Sequence, residues 1–157
     1  TDSVIVKLRN PSAPFAVVAT ATAVVNTSGL ATFTFPPSVI GNNYFISVYH
    51  RNSVETWSAL PQAFQATSTY NFTTSASQAF GANMRQLLPG VFAIYSGDLS
   101  PQDNVVDIID QSAIDNDIFN FNGGYIVTDL SGDGAVDIVD QSILDNNIFG
   151  FISSSHP

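Results

Sequence analysis

The stretch "TDLSGDGAVDIVDQS", residues 128–142, places acidic or hydroxyl side chains at nearly every second position around a tight Gly-Asp-Gly turn. A twelve-residue calcium loop takes oxygen ligands from positions 1, 3, 5, 7, 9 and 12, and needs glycine at position 6 for a sharp bend. Counting from Asp129 as position 1 satisfies each of these requirements. The predicted ligands are Asp129, Ser131, Asp133, the backbone carbonyl of Ala135, Asp137 and Asp140.

A second copy of this phrase, "GDLSPQDNVVDIIDQS", occupies residues 97–112 and contains one residue more. When this copy is aligned backwards from the following helix, Asn104 lies at position 6. After glycine, asparagine is the residue that best tolerates a left-handed turn. The extra residue then falls in Ser-Pro-Gln, so we expect the chain to bulge at Pro101 and Gln102. The predicted ligands are Asp98, Ser100, Asp103, the carbonyl of Val105, Asp107 and Asp110. The chain is therefore expected to bind two calcium ions.

The repeat extends beyond the loops, because residues 106–121 and 136–151 agree at eleven of sixteen positions with an offset of 30. Such agreement indicates an internal duplication. Apolar residues recur at helical spacing, which predicts one helix after each loop, beginning at the position-12 aspartate. The apolar sets are Ile114, Ile118 and Phe121 in the first copy and Leu144, Ile148 and Phe151 in the second. Val136, at position 8, is expected to pair with its counterpart in the other loop across a short two-stranded contact.

The negative charge of the chain is concentrated in this repeated region. Residues 1–96 contain four basic and two acidic residues, whereas residues 97–157 contain eleven aspartates and no lysine or arginine, a net charge of −11. A compact fold with this density of like charge repels itself unless cations compensate it. The distribution disfavours nucleic acid as a partner and favours metal ions. The absence of cysteine excludes disulfides and thiolate metal sites.

Residues 1–80 have a different residue pattern, in which short runs of β-branched and aromatic residues alternate with turn signals. The runs are SVIVKLR, FAVVATATAVV, LATFTF, YFISVYHR, VETWSA and STYNFTT. They predict six or seven strands of an antiparallel β-sandwich, with a last strand in 81–97. In LATFTF the alternation places Ala31, Phe33 and Phe35 on one face and Leu30 and Thr32 on the other. The expected domains are a sandwich over 1–95 and a calcium-binding module over 96–157.

Two tandem loop–helix units of this length, with aspartate at position 12 and "GYIVTDLSGDG" before the second loop, resemble dockerin type I modules. The resemblance covers residues 97 to about 152. It implies that the repeats fold around two calcium ions into an antiparallel helical pair with approximate two-fold symmetry. It also implies docking to a cohesin domain on a scaffold or cell-surface protein, as in secreted polysaccharide-degrading assemblies. The preceding β-sandwich resembles the immunoglobulin-like or prealbumin-like modules that accompany extracellular enzymes.

The dockerin resemblance also implies where a partner binds, namely at loop positions 10 and 11 and on the exposed face of the following helix. The corresponding residues are Ile108, Ile109, Asp115 and Asn116 in the first repeat and Ile138, Val139, Asp145 and Asn146 in the second. Many family members carry Ser-Thr and Lys-Arg at these places, whereas this chain has aliphatic and acidic residues. Burial of Ile109 and Val139 between the repeats is an equal alternative.

Three classes of function fit the sequence. The first is a calcium-dependent docking module with the sandwich as spacer or stabiliser. The second is a carbohydrate-binding or adhesive sandwich, which an exposed aromatic strip including Trp57 or the Tyr residues would favour. The third is a structural subunit of a calcium-stabilised extracellular assembly that can self-associate. We expect Trp57 in the core, and His50 and His156 at the surface or in the tail. No enzyme is expected, because the sequence has no nucleophile with a base, no phosphate loop and no redox motif.

The sequence predicts no membrane span, because its longest apolar run, residues 15–25, is short and interrupted by threonine. Together with the dockerin resemblance, this predicts a secreted or cell-surface protein.

Overall fold

The computed structural model describes residues 2–99 and 101–157, so Ser100, a predicted ligand, lies outside the described residues. The chain divides into two compact units. The first comprises the chain up to His50 with Glu55–Ala93 and Ser155–Pro157, and the second comprises Arg51–Val54 and Ile94–Ser154. The expectation of an antiparallel β region followed by two helices is confirmed. No helix in the described part of the chain is long and apolar enough to cross a membrane.

A five-stranded sheet and a two-stranded sheet account for all the named strands. The strands of the larger sheet are β1 (Asp2–Arg9), β2 (Val17–Val25), β3 (Asn43–His50), β4 (Ser53–Trp57) and β5 (Gln62–Ala63). They have the order β2-β1-β3-β4, with β5 paired to β3, and the pairings of β1 with β2 and β3 are antiparallel. The smaller, antiparallel sheet consists of β6 (Arg85–Leu88) and β7 (Val91–Ala93). Ser53 and Val54 of β4 belong to the second unit.

One face of strand β1 is buried towards its end, and the other face is partly exposed. Val6 and Leu8 lie opposite Val48 and Ile46 of β3 and form the apolar core of the first unit. On the other face, the Arg9 guanidinium lies 4.6 Å from the centre of the Trp57 ring and pairs with Glu55 at 3.0 Å. The charge of Arg9 is thereby compensated, as burial requires.

Two of the predicted strands are not strands. Residues 30–35, LATFTF, have no regular secondary structure, although Phe33 and Phe35 pack against the core while Leu30 and Thr32 are exposed. The alternation therefore gave the correct faces but not the hydrogen bonding. STYNFTT contains a short 3₁₀ helix, Phe72–Thr74, because the Asn71 side chain accepts a hydrogen bond from the backbone of Thr73. Within residues 81–97, where a last strand and the passage to the next module are expected, Arg85–Leu88 and Val91–Ala93 form the two-stranded β6–β7 hairpin.

The second unit contains helices α1 (Ile108–Phe119) and α2 (Ile138–Phe149), which follow the two predicted loops. Its core combines both repeats with a residue of β4. The buried core residues are Val54, Leu99, Val106, Ile114, Val136 and Leu144. Each helix begins at loop position 10, two residues before the predicted start, because the position-9 aspartate is the N-cap.

Phe121 and Phe151 were predicted on the apolar helix faces, and the structure corrects this. Each helix ends two residues earlier, and the phenylalanine lies in left-handed backbone with φ of 53° and 52°. The amide of Phe121 donates to the carbonyl of Ile118 (3.1 Å), and that of Asn122 to Asp117 (2.9 Å). These bonds form the reversal that usually has glycine at this place. The helical periodicity in the sequence thus continues past the true helix ends.

The two loops do not pair with each other as predicted for Val106 and Val136. Each loop bridges instead to the segment beyond the other repeat's helix, Val105 to Ser153 and Ala135 to Gly123. The two bridges are related by the same 30-residue offset as the sequence. Because the start of each helix lies beside the end of the other, the helices run antiparallel with approximate two-fold symmetry.

Candidate functional site

The second loop is organised around the buried carboxylate of Asp129 at position 1. Its Oδ1 accepts a hydrogen bond from the amide of Gly132 (2.8 Å), and its Oδ2 accepts one from Gly134 (3.1 Å). Gly134 has φ of 89°, so glycine provides the predicted bend at position 6. Asp133 accepts the amide of Ala135 at 2.9 Å. The loop is therefore a closed turn around one carboxylate.

The first loop makes the same turn with an asparagine at its bend. Asn104 has φ of 70°, and its amide donates to Oδ2 of Asp98 at 3.1 Å, as that of Gly134 does to Asp129. Gln102, in the predicted bulge, folds back to donate from Nε2 to the carbonyl of Asp98 (3.2 Å). Oδ1 of Asp98 accepts the amide of Asp103 at 3.0 Å.

The position-12 aspartates tie each loop to its helix. Asp110 and Asp140 are buried, and each accepts the amide of its position-9 N-cap, at 2.9 Å and 3.0 Å. The caps, Asp107 and Asp137, in turn accept the amides of Ile109 and Val139, both at 2.7 Å. This reciprocal capping box satisfies two orphan amides at each helix start. It also fixes where a position-12 carboxylate lies relative to its loop.

Burial makes two carboxylates of the first loop, those of Asp98 and Asp110, harder to ionise. Loss of solvent raises the pKa of Asp98 to about 6, although the amides of Asp103 and Asn104 partly offset this by favouring the charged form. Burial likewise raises the pKa of Asp110. A nearby cation favours ionised carboxylates. A positive ion in this loop would therefore offset the free-energy cost of keeping these buried carboxylates ionised.

The predicted ligand sets suit calcium by their chemistry, since every donor is an oxygen atom. Within residues 2–99 and 101–157, however, no three or more His, Cys, Asp or Glu side chains are arranged as metal ligands. The loop carboxylates accept backbone amides of their own loops instead, as Asp103 does from Val105 at 3.0 Å. Bound calcium would have to draw these carboxylates towards one point.

Around the loops, the second unit exposes large apolar side chains in both repeats. Ile109 and Val139 are 53% and 49% exposed, which rules out the alternative that they are buried between the repeats. Ile108 and Ile138 are more exposed still. The predicted polar members of these faces, Asp115, Asn116, Asp145 and Asn146, are exposed as well.

Four phenylalanines that the sequence interpretation did not assign to a surface are the most exposed apolar residues. The exposed fractions are 81% for Phe119, 95% for Phe121, 86% for Phe149 and 90% for Phe151. They form two pairs separated by the 30-residue offset. Asn120 and Gly150, directly after the helices, were the sequence signals that could have placed these residues beyond or at the helix ends.

Among the described residues of the first unit, here called the β-rich unit, no exposed aromatic strip surrounds Trp57. The indole is buried and packs against Phe45 at 5.8 Å and His156 at 5.5 Å between ring centres. This confirms the expectation of a core tryptophan, and His156 is exposed as expected. His50 is half-buried and lies 2.8 Å from a carboxylate oxygen of Asp2. Trp57 is therefore not part of an exposed strip of the kind that would favour the adhesive alternative.

Comparison of the chain with protein-family models, curated proteins and solved structures gives no match.

Proposed function

We propose that this chain is a non-catalytic, calcium-dependent docking module of a secreted or cell-surface protein. In this proposal the second unit is dockerin-like, binds two calcium ions and docks to a cohesin-type partner. The β-rich unit is an immunoglobulin-like or prealbumin-like sandwich that serves as spacer or stabiliser.

The observation that carries the proposal is the pair of exposed phenylalanines repeated in each copy. Soluble proteins seldom expose clustered large apolar side chains unless these bind something. Phe121 and Phe151 are also held in left-handed backbone, which costs a residue other than glycine about 1–2 kcal/mol. Neither packing nor backbone conformation favours phenylalanine at these positions. Retention of this residue in both copies therefore supports a role in recognition.

The antiparallel arrangement supports two equivalent docking faces. Because Gly123 bridges to Ala135, Phe121 lies at the same end of the unit as the start of α2 with Ile138. The reciprocal bridge places Phe151 at the end where α1 starts with Ile108. Each face thus combines phenylalanine from one repeat with aliphatic residues from the other, and a partner could dock in either of two orientations.

Calcium has a structural role in this proposal. The ion would be held by the aspartates of each loop and would neutralise part of the −11 charge of residues 97–157. Since the position-12 aspartate is also part of the capping box, ion binding and helix start share one side chain. Loss of calcium should therefore disturb the apolar docking faces as well as the loops.

The test is binding of the immobilised chain to a panel of purified cohesin domains, with calcium and with excess chelator. We expect at least one cohesin to bind in calcium only. Phe119→Ser combined with Phe149→Ser should abolish that binding, whereas Leu60→Ser, at an exposed leucine of the β-rich unit, should leave it unchanged. Calcium-dependent self-association with no cohesin binding would instead favour the structural-subunit alternative. Binding that survives chelation would contradict the proposal.

A further inference from the structure

The turn between β3 and β4 belongs to the second unit, although about 40 residues separate it from the rest of that unit. Val54 is fully buried in the core formed by the two repeats. Its amide donates to the carbonyl of Tyr95 at 3.1 Å, and Ser53 bridges to Ser96. The chain segment that leads into the first loop is therefore paired with this turn.

Asn52, in the middle of the turn, contacts the start of both loops. Its backbone carbonyl accepts the amide of Gly97 at 2.7 Å, directly before Asp98, position 1 of the first loop. Its side-chain Nδ2 donates to the carbonyls of Val127 (3.2 Å) and Asp129 (3.4 Å), and Asp129 is position 1 of the second loop. Asn52 itself is buried. One residue thus links the first ligands of the two loops.

The neighbours of Asn52 hold it on both sides. Arg51 donates from Nη1 to the carbonyl of Ile126, and its guanidinium lies 4.2 Å from the centre of the Tyr125 ring. On the other side, the Ser53 carbonyl accepts Nε2 of Gln102, a residue of the bulge in the first loop, at 3.4 Å. The amide of Asn52 therefore has a fixed position from which to orient the backbone of the second loop.

We propose that Asn52 is a positioning residue for calcium binding, whose side-chain amide fixes the start of the second loop while its carbonyl fixes the start of the first. The inference rests on the proposed calcium-binding function. It adds to the predicted ligands a supporting residue that lies far from both loops in sequence. Asn52 would coordinate no ion itself.

The physical reason is preorganisation of the first ligand. The Asp129 carboxylate can serve the loop only where its backbone places it, and the Asn52 amide bonds to the carbonyls of Asp129 and Val127. Residues that orient metal ligands by hydrogen bonds are typically worth about 10–100-fold in metal affinity. The two loops should depend on Asn52 differently, because one contact uses its side chain and the other its backbone.

Asn52→Ala in the full chain separates these two contacts. The substitution removes the Nδ2 donor to the second loop and keeps the carbonyl that accepts Gly97. We expect calcium affinity to fall at least about tenfold at the second loop and to change less than about threefold at the first. A calcium titration followed by ¹H–¹⁵N spectra resolves the loops through the amides of Gly134 and Asn104. Asn42→Ala removes a comparable but exposed side-chain amide in the β-rich unit and should change neither loop.

A second variant keeps the test decisive if Asn52→Ala fails to fold. Asn52→Asp has almost the same shape but places an acceptor oxygen against two carbonyls, so it should weaken the second loop at least as much. Equal weakening of both loops, or unchanged binding in a folded variant, would overturn the positioning role. Absence of calcium binding in the unmodified chain would instead overturn the proposed function on which the role rests.

Discussion

The two loops have the same structure from position 6 onward and differ before it. In both, the position-6 amide donates to Oδ2 of the position-1 aspartate at 3.1 Å, and the capping box repeats almost atom for atom. Oδ1 of Asp98, however, accepts the amide of Asp103, whereas Oδ1 of Asp129 accepts that of Gly132. The other oxygen of the position-12 carboxylate also has different donors, Leu99 in one loop and Ser131 in the other.

This difference shows which half of the loop tolerates an inserted residue. The helix side is fixed by a left-handed residue and by the cap, so an insertion there would change the direction of the helix. On the other side the chain accommodates Pro101 by folding Gln102 back onto Asp98. The two loops therefore differ in the half that precedes position 6. We expect the first loop to bind calcium more weakly than the second.

Chelation removes both ions at once and should have the largest effect. A unit of roughly 60 residues is below the size at which a core alone usually gives stability, about 70–80 residues. We expect excess EDTA to melt the two helices while the β-rich unit stays folded. Far-ultraviolet circular dichroism should lose most of its helical signal and recover it when calcium is restored. A helical signal that persists in EDTA would count against a structural role of the ions.

The symmetry of the docking faces predicts a large, non-additive effect on partner binding. Ile109→Asp alone should weaken binding by less than ~1 kcal/mol, because the loss of one of two equal orientations costs only about RT ln 2. Ile109→Asp with Val139→Asp should cost at least ~2 kcal/mol, as for a lost hot spot. Titration calorimetry with a cohesin domain that binds the unmodified chain measures the affinity of the single and the double variant. If one single variant abolished binding and the other did nothing, the two faces would not be equivalent.

The regularity of the repeat made its loops and helices predictable, because ligand spacing and helical periodicity are local properties of the sequence. The local pattern did not reveal where the helices end, since Phe121 and Phe151 continue the period beyond the last helical turn. LATFTF shows the same limitation for strands, because its alternation predicts faces but not a hydrogen-bonded neighbour. The participation of Asn52 and Val54 in the second unit could not be predicted, since it depends on contacts between distant segments.

Deletion of Pro101 should make the first loop resemble the second. The shortened loop has twelve residues and places Gln102 at position 4 and Asp103 at position 5, in the same register as Asp133. We expect its calcium affinity to rise about tenfold, the lower end of what ligand orientation contributes. Pro101→Ala keeps the length of the loop and should leave its affinity unchanged. Residue-resolved calcium titration compares the deletion with Pro101→Ala. Unchanged affinity after the deletion would show that the bulge does not weaken calcium binding.

The smallest effect is expected from glycine at the left-handed positions. Phe121→Gly and Phe151→Gly should each stabilise the calcium-bound chain by about 0.5–1 kcal/mol, because glycine is favoured after a helix end and little burial is lost. Phe119 is the last helical residue of α1, so Phe119→Gly should destabilise the helix, by at most a similar amount. Urea unfolding in calcium measures all three variants. Destabilisation by Phe121→Gly would mean that its ring packs in the folded chain.

Whether the repeated loops are calcium sites is tested most directly by calorimetric titration of the chelator-treated chain of residues 1–157 with calcium. We expect two ions per chain, with the tighter binding lost in Asp140→Ala and the weaker binding lost in Asp110→Ala. A titration that shows no binding at the second loop, whose ligand spacing is complete, would contradict it.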